Sequence, residues 1–166
     1  MLRVLAVLAA FGVAIAVGLY LAPPQRVAAP EATFTTIEGQ NFAMADLRGK
    51  VVLVNFWATD CIPCLREMPR IVHTYNKYRA RGFETVAVAM SYDPPNRVRD
   101  YARKNALPFK VALDPSGALA RRFGDVQFAP TTFVIDRRGN IIKRYLGEPD
   151  FAALHALLES KLGEET

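Results

Sequence analysis

Cysteine is scarce in this sequence: two of its 166 residues, Cys61 and Cys64. One pair makes no disulfide framework, so a small fold stapled by several bridges is excluded. The two lie three residues apart, and closing so short a loop removes little entropy from the unfolded chain. Histidine is equally rare, at two, and there is no second Cys-x-x-Cys to complete a four-ligand zinc site. Internal repeats, low-complexity segments and nucleic-acid motifs are also missing. With 51% hydrophobic and 22% charged residues, a disordered chain is excluded as well. The net charge of +5 comes from scattered basic residues, densest at Arg97, Arg99, Arg103 and Lys104. These fall on the exposed side of an expected helix and read as a solvated face.

What is present begins with an uncharged run of 19 residues, Val4 to Ala22. As a helix it spans roughly 28 Å, close to the hydrocarbon thickness of a bilayer. Arg3 and the amino terminus precede it, which places the N-terminus in the cytoplasm and the rest of the chain outside. An uncleaved anchor and a cleaved signal peptide both fit. The run is longer than a usual signal core, and the best small-residue cleavage site, Val27-Ala28-Ala29, is followed by Pro30, which favours the anchor. The expected division is a membrane segment at 1–22, a linker stiffened by Pro23, Pro24 and Pro30 at 23–32, and one domain at 33–166.

Within that domain Thr33 to Ile37 alternates weakly as a short strand, and Gly39 and Asn41 mark a turn. Val51 to Trp57 is nearly all apolar and β-branched, the pattern of a central strand covered on both faces. From Pro63 to about Arg81 the period becomes helical, with Met68, Ile71, Val72, Tyr75 and Tyr78 on one face. Pro63 suits a first turn, Pro69 should kink the helix, and Gly82 closes it. Thr85 to Met90 reads as a buried strand, Val98 to Asn105 as a short helix, and Phe109 to Leu113 as a strand before a turn at Asp114 to Gly117. Thr132 to Asp136 and Ile141 to Leu146 flank Arg137-Arg138-Gly139-Asn140, a hairpin signal in which Gly139 takes positive φ. Phe151, Leu154, Leu158 and Leu162 form the stripe of a last helix. Strands alternating with helices to residue 113, then a hairpin, imply an α/β fold with parallel crossovers and added antiparallel strands.

The cysteines sit where the central strand gives way to a helix. A thiolate is the nucleophile in disulfide exchange, and the free N–H groups and dipole of a helix N-terminus favour it. Cys61 is therefore expected to be the exposed attacker and Cys64, one turn inside, the shielded resolver.

Trp57-Ala58-Thr59-Asp60-Cys61-Ile62-Pro63-Cys64, followed by Glu67 and Pro69, resembles the signature of membrane-anchored thioredoxin-like proteins of the TlpA/ResA type. Asp46 to Val52, Phe123 to Val126, Pro130 to Asp136 and Arg138-Gly139 resemble further segments of that family, so the likeness covers roughly residues 33–162. It implies a thioredoxin-like fold with an N-terminal β extension and a central αβ insertion, preceded by one transmembrane helix. It also implies a cis Pro130 facing the cysteines, with Ala129, Pro130, Thr131 and Trp57 at the substrate-binding surface. Phe128, beside that turn, fits either the substrate groove or the core.

Two departures bear on mechanism. Asp60 stands where the family often has an aromatic residue. Asn55 stands where thioredoxins bury an aspartate, and an amide is no base. Glu67 is the remaining proton carrier, a role the resemblance assigns to a glutamate there; a plain surface charge is the alternative. Negative charge near a thiolate destabilises it and makes the pair more reducing.

The expected activity is reduction of disulfides in exported proteins on the periplasmic side of a bacterial membrane. By resemblance these are apocytochrome c haem-site cysteines or copper-site cysteines of an assembly factor, with a membrane electron carrier re-reducing the protein. A monomer with neither cofactor nor metal is expected. A copper metallochaperone using the same thiolates is the alternative. His73 reads as a surface residue and His155 as a packing residue. Thr59 is too close to Cys61 for peroxiredoxin spacing.

Overall fold

The computed structural model describes residues 27–164. The expected membrane segment lies outside them, and among the described residues no helix is long and apolar enough to cross a membrane. Eight strands form one sheet in the order β1-β8-β7-β4-β5-β6-β2-β3. They are β1 Val27–Ala28, β2 Thr33–Thr36, β3 Asn41–Ala43, β4 Val51–Trp57, β5 Phe83–Ala89, β6 Lys110–Leu113, β7 Thr131–Ile135 and β8 Asn140–Leu146. The helices are α1 Ile62–Tyr78, α2 Pro95–Lys104, α3 Ala118–Arg122 and α4 Phe151–Gly163.

Strand β4 is buried at all seven positions, as its unbroken apolar run requires. It pairs parallel with β5 and antiparallel with β7. Strand β5 pairs parallel with β6, and β7 antiparallel with β8. The expected crossovers and terminal hairpin are thus present. Asp136 shapes the hairpin turn by accepting from the N–H groups of Arg138 and Asn140 at 3.0 and 2.8 Å. Gly139 supplies φ 81° there.

Two apolar layers cover the sheet. On one face α1, α2 and α4 bring Met68, Ile71, Val98, Leu154 and Leu158 against Leu53, Ala87 and Val134. On the other, Met44 and Leu47 of a 3-10 turn and Leu119, Ala120 and Phe123 around α3 cover Val52, Val54, Phe56 and Phe133. The predicted stripe of α4 is buried at all four positions, and Asp150 caps the helix by accepting from the N–H groups of Ala152 and Ala153. Helix α1 runs unbroken through Pro69 and ends in a 3-10 turn closed by Gly82 at φ 88°.

The structure differs from the sequence reading in three places. Residues 27–32, expected within a linker, are packed on the sheet: β1 pairs with β8, and Ala29 and Ala32 are buried. Strand β3 follows the predicted turn directly and pairs with β2, which crosses to the far edge beside β6. Helix α3, at five residues, is too short to show a period. Buried Asp114 starts it, accepting from the N–H groups of Leu119 and Ala120 at 3.1 and 2.9 Å.

Asp114→Ala leaves those two buried N–H groups unpaired. It is expected to lower stability by about 1–3 kcal/mol in denaturant unfolding, whereas Asp114→Asn should recover part of the loss.

Candidate active site

Strand β4 ends at Trp57, and the next four residues turn the chain into α1. The turn is held from outside by Asp93, a buried side chain in the loop between β5 and α2. Its carboxylate accepts from the N–H of Thr59 at 2.6 Å and from the Thr59 hydroxyl at 2.7 Å. Cys61 follows as the N-cap of α1, with Pro63 in the first helical turn.

Cys61 and Cys64 are bonded, with Cα atoms 5.2 Å apart. They are not equivalent. Cys61 is partly exposed, whereas Cys64 is 0% exposed. The N–H of Cys64 points at Cys61 Sγ from 3.3 Å. When the bond is reduced, that donor and the helix N-terminus favour negative charge on Cys61.

The peptide bond between Ala129 and Pro130 is cis, and Cys61 Sγ lies 3.4 Å from the Ala129 carbonyl oxygen. The turn is braced on both sides. The Thr131 hydroxyl donates to the Phe128 carbonyl at 2.7 Å, and the Gly147 N–H donates to the Pro130 carbonyl at 2.8 Å.

Not every expected residue lies at the surface of this site. Trp57 and Thr131 were both expected to touch substrate, yet each is 0% exposed. The Trp57 ring packs against Tyr101 at 5.1 Å, and the Thr131 hydroxyl is spent on the turn. Neither side chain offers surface to a docked chain. Phe128 does: it is 73% exposed, which removes the core reading, and Ile62, between the cysteines, is 74% exposed.

Glu67 is no surface charge. It lies one turn beyond Cys64 on α1 and is 0% exposed. Its Oε1 accepts from Asn55 Nδ2 at 2.8 Å, and the same Nδ2 donates to Thr132 Oγ1 at 2.9 Å. Burial pushes the Glu67 carboxyl up to about 7 from an ordinary 4.5. The Asn55 bond opposes that rise, nearby Glu148 adds to it, and Arg66 offsets it. Asp60, by contrast, is exposed, so solvent and salt damp its influence on a thiolate.

The histidines lie elsewhere. His73 is exposed. His155 packs edge-on against Tyr78 and Phe151. Because Thr74 donates its hydroxyl proton to the Arg70 carbonyl, it accepts from His155 Nε2 at 2.8 Å. The sequence reading missed Asp93 and Thr132. Neither belongs to the Cys-x-x-Cys segment, and only the fold brings them beside it.

A redox-active cysteine pair at the start of a helix, beside a cis-proline turn on a mixed sheet, defines a thioredoxin-like thiol–disulfide oxidoreductase. The comparisons with known proteins agree. The redoxin family model matches residues 24–158. The thiol-disulfide oxidoreductase ResA of Bacillus thuringiensis subsp. konkukian (strain 97-27) is 35% identical over 120 residues, covering 72% of this chain and 68% of the relative. The ResA of Geobacillus thermodenitrificans is 36% identical over 119 residues, covering 72% and 67%. The crystal structure of a thioredoxin-family thiol:disulfide interchange protein from Chlorobium tepidum superposes with a TM-score of 0.77 at 31% identity. It covers 86% of this chain and 100% of that one. The chain belongs to the redoxin family and, within it, groups with the TlpA/ResA-type thiol–disulfide oxidoreductases.

The raised Glu67 carboxyl gives stability a pH dependence of definite sign. Unfolded Glu67 loses its proton near 4.5 and the folded one near 7. Stability therefore falls as pH rises through that window, by on the order of 3 kcal/mol in all. Glu67→Gln is expected to remove this slope. Urea unfolding of both proteins at pH 4.5 and pH 8 checks it, and parallel curves would refute it.

Proposed function

We propose that this chain is a membrane-anchored reductase that opens disulfides in exported proteins on the extracytoplasmic side. The residues at 1–22 serve as anchor, Cys61 as attacker and Cys64 as resolver. The observation that carries the assignment of roles is the inequality of the two sulfurs: Cys61 is reachable and faces a backbone N–H, and Cys64 is covered.

In the reduced protein the Cys61 thiolate attacks one sulfur of a substrate disulfide. A mixed S–S bond forms, and the other substrate sulfur leaves as a thiolate. The Cys64 thiol then gives its proton to the Glu67 carboxylate, and the new thiolate attacks Cys61 Sγ. The mixed bond breaks, the second substrate sulfur leaves, and the Cys61–Cys64 bond closes. Two electrons pass from the protein dithiol to the substrate, and the departing thiolates take up protons from solvent. With its carboxyl near 7, Glu67 is available both to take a proton and to return it.

The substrate's extended backbone pairs at Ala129, a reading supported by the cis turn beside Cys61 and by the exposure of Phe128 and Ile62. By family likeness the substrates are haem-site cysteines of apocytochrome c or copper-site cysteines of an assembly factor. A membrane carrier returns the electrons, since the cytoplasmic reductants lie across the bilayer.

Cys64→Ser removes the resolving thiol. It is expected to accumulate a mixed disulfide at Cys61 when the reduced variant meets an oxidised Cys-x-x-Cys-His peptide, as followed by mass spectrometry with and without dithiothreitol. Cys61→Ser should form none. Equal adducts in the two variants would overturn the assignment of roles. Stoichiometric copper binding by a protein that cannot reduce insulin would favour a metallochaperone.

A further inference from the structure

Asn55 and Thr132 come from neighbouring strands and face each other in register across the β4–β7 pair. Both are 0% exposed, as is Glu67 on the helix above them. Three polar side chains in an apolar layer are costly unless they satisfy one another. Here one amide nitrogen spans the other two, 2.8 Å from Glu67 Oε1 and 2.9 Å from Thr132 Oγ1. We infer that Asn55 and Thr132 are positioning residues for Glu67, forming a relay that keeps its carboxyl group bonded whether or not it carries a proton. The inference rests on the proposed role of Glu67 as the proton carrier for Cys64.

The chemistry of the three groups decides how the relay works. An ionised Glu67 only accepts, so the amide must turn its nitrogen toward it, and the second N–H of that nitrogen then reaches Thr132. A protonated Glu67 donates, and the amide meets it by turning over to present Oδ1. At that point the hydroxyl of Thr132 rotates to donate to the same Oδ1. Thr132 suits its place because a hydroxyl both donates and accepts; valine has the same shape and does neither. An aspartate at position 55 could not do this without a proton of its own, and beside Glu67 it would compete for the same one. The amide therefore leaves Glu67 as the sole carboxyl in this group of three.

The charges that act on Glu67 are Glu148, beyond β8, and Arg66, on its own helix, and Cys64 lies one turn before it. The strands contribute Asn55, its β5 partner Ala87 and its β7 partner Thr132, none of which ionises. They also contribute Tyr145 of β8, level with Thr132, whose phenol is raised by burial above its ordinary 10 and so stays neutral at pH 7. A change in Glu67 titration on altering Asn55 or Thr132 is thus a change in hydrogen bonding.

The test uses the oxidised full chain in detergent, labelled with 13C-glutamate, the carboxyl signal absent from Glu67→Gln being that of Glu67. A hydrogen bond to the charged form is worth more than one to the neutral form. Asn55→Leu is therefore expected to raise the Glu67 midpoint by about one unit or more, a tenfold change in ionised fraction. Thr132→Val should raise it by less, because the amide is no longer held in line. Thr132→Ser, which keeps the hydroxyl, should restore the original midpoint. In the reduced proteins, resolution of a mixed disulfide at pH 7 should slow in the same order.

An unmoved midpoint in both Asn55→Leu and Thr132→Val overturns the relay. So does an equal shift in Thr132→Ser and Thr132→Val, which would reduce Thr132 to packing. If Asn55→Leu does not fold, the Thr132 pair decides alone. Glu67→Gln judges the underlying role separately. Should it leave the pH profile of resolution unchanged, Glu67 is not the proton carrier, whatever the midpoints show.

Discussion

Strand β4 is hydrogen-bonded along both edges and covered on both faces, so its C-terminal end has very little freedom. That constraint fixes where α1 begins, and with it the position of Cys61. A strand with no solvated side must also account for any polar residue it carries. Asn55 is the polar member of β4, and it finds its partners only because α1 and β7 bring Glu67 and Thr132 to the same place. The disulfide and the buried carboxyl are thus two products of one strand, the first at its end and the second in its middle. Asp93 completes the arrangement from the loop after β5 by holding Thr59. A nucleophile that must meet a substrate sulfur in line gains from a loop that does not wander.

Much of this was legible in the residues. The apolar run at 51–57, the helical period from Met68 to Tyr78 and the stripe from Phe151 to Leu162 each specify an element by which face must be buried. Gly82 and Gly139 mark their turns because the chain there needs positive φ. The motif around Cys61 and Cys64 carried the chemistry, and the likeness of Pro130 to a cis-proline segment agreed with the observed peptide bond. What stayed hidden depends on neighbours distant in sequence. Helix α3 exists because Asp114 accepts from its first turn, and a five-residue helix leaves no period to read. The burial of Glu67 could not be read from its charge. A carboxylate on a helix is ordinarily solvated, and only Asn55, twelve residues earlier, makes its place tolerable. Trp57 misleads in the other direction: adjacent to the motif, it is wholly internal.

Burial also alters the electrostatic argument for a reducing pair. Two negative charges beside the thiolate were the sequence-level case. In the folded protein one of them, Asp60, stands in solvent, and the other is a carboxyl titrating near neutrality. A group about half protonated at pH 7 acts less as a fixed negative charge than as a place for a proton. In the proposed mechanism its effect on the thiols is correspondingly kinetic, through the ease with which Cys64 loses and regains hydrogen.

The short strand β1 has a consequence for how the domain is presented. Val27 is level with Ile141, Ile141 with Ile135 and Ile135 with Val52, whereas Cys61 lies beyond Trp57 at the other end of β4. Five residue steps along the strand take Val52 to Trp57, about 17 Å at the usual rise. Val27 therefore lies toward the end of the sheet opposite the disulfide. Because β1 runs antiparallel to β8, the chain leads from Val27 away from the cysteines, and β1 itself leaves the approach to Cys61 open.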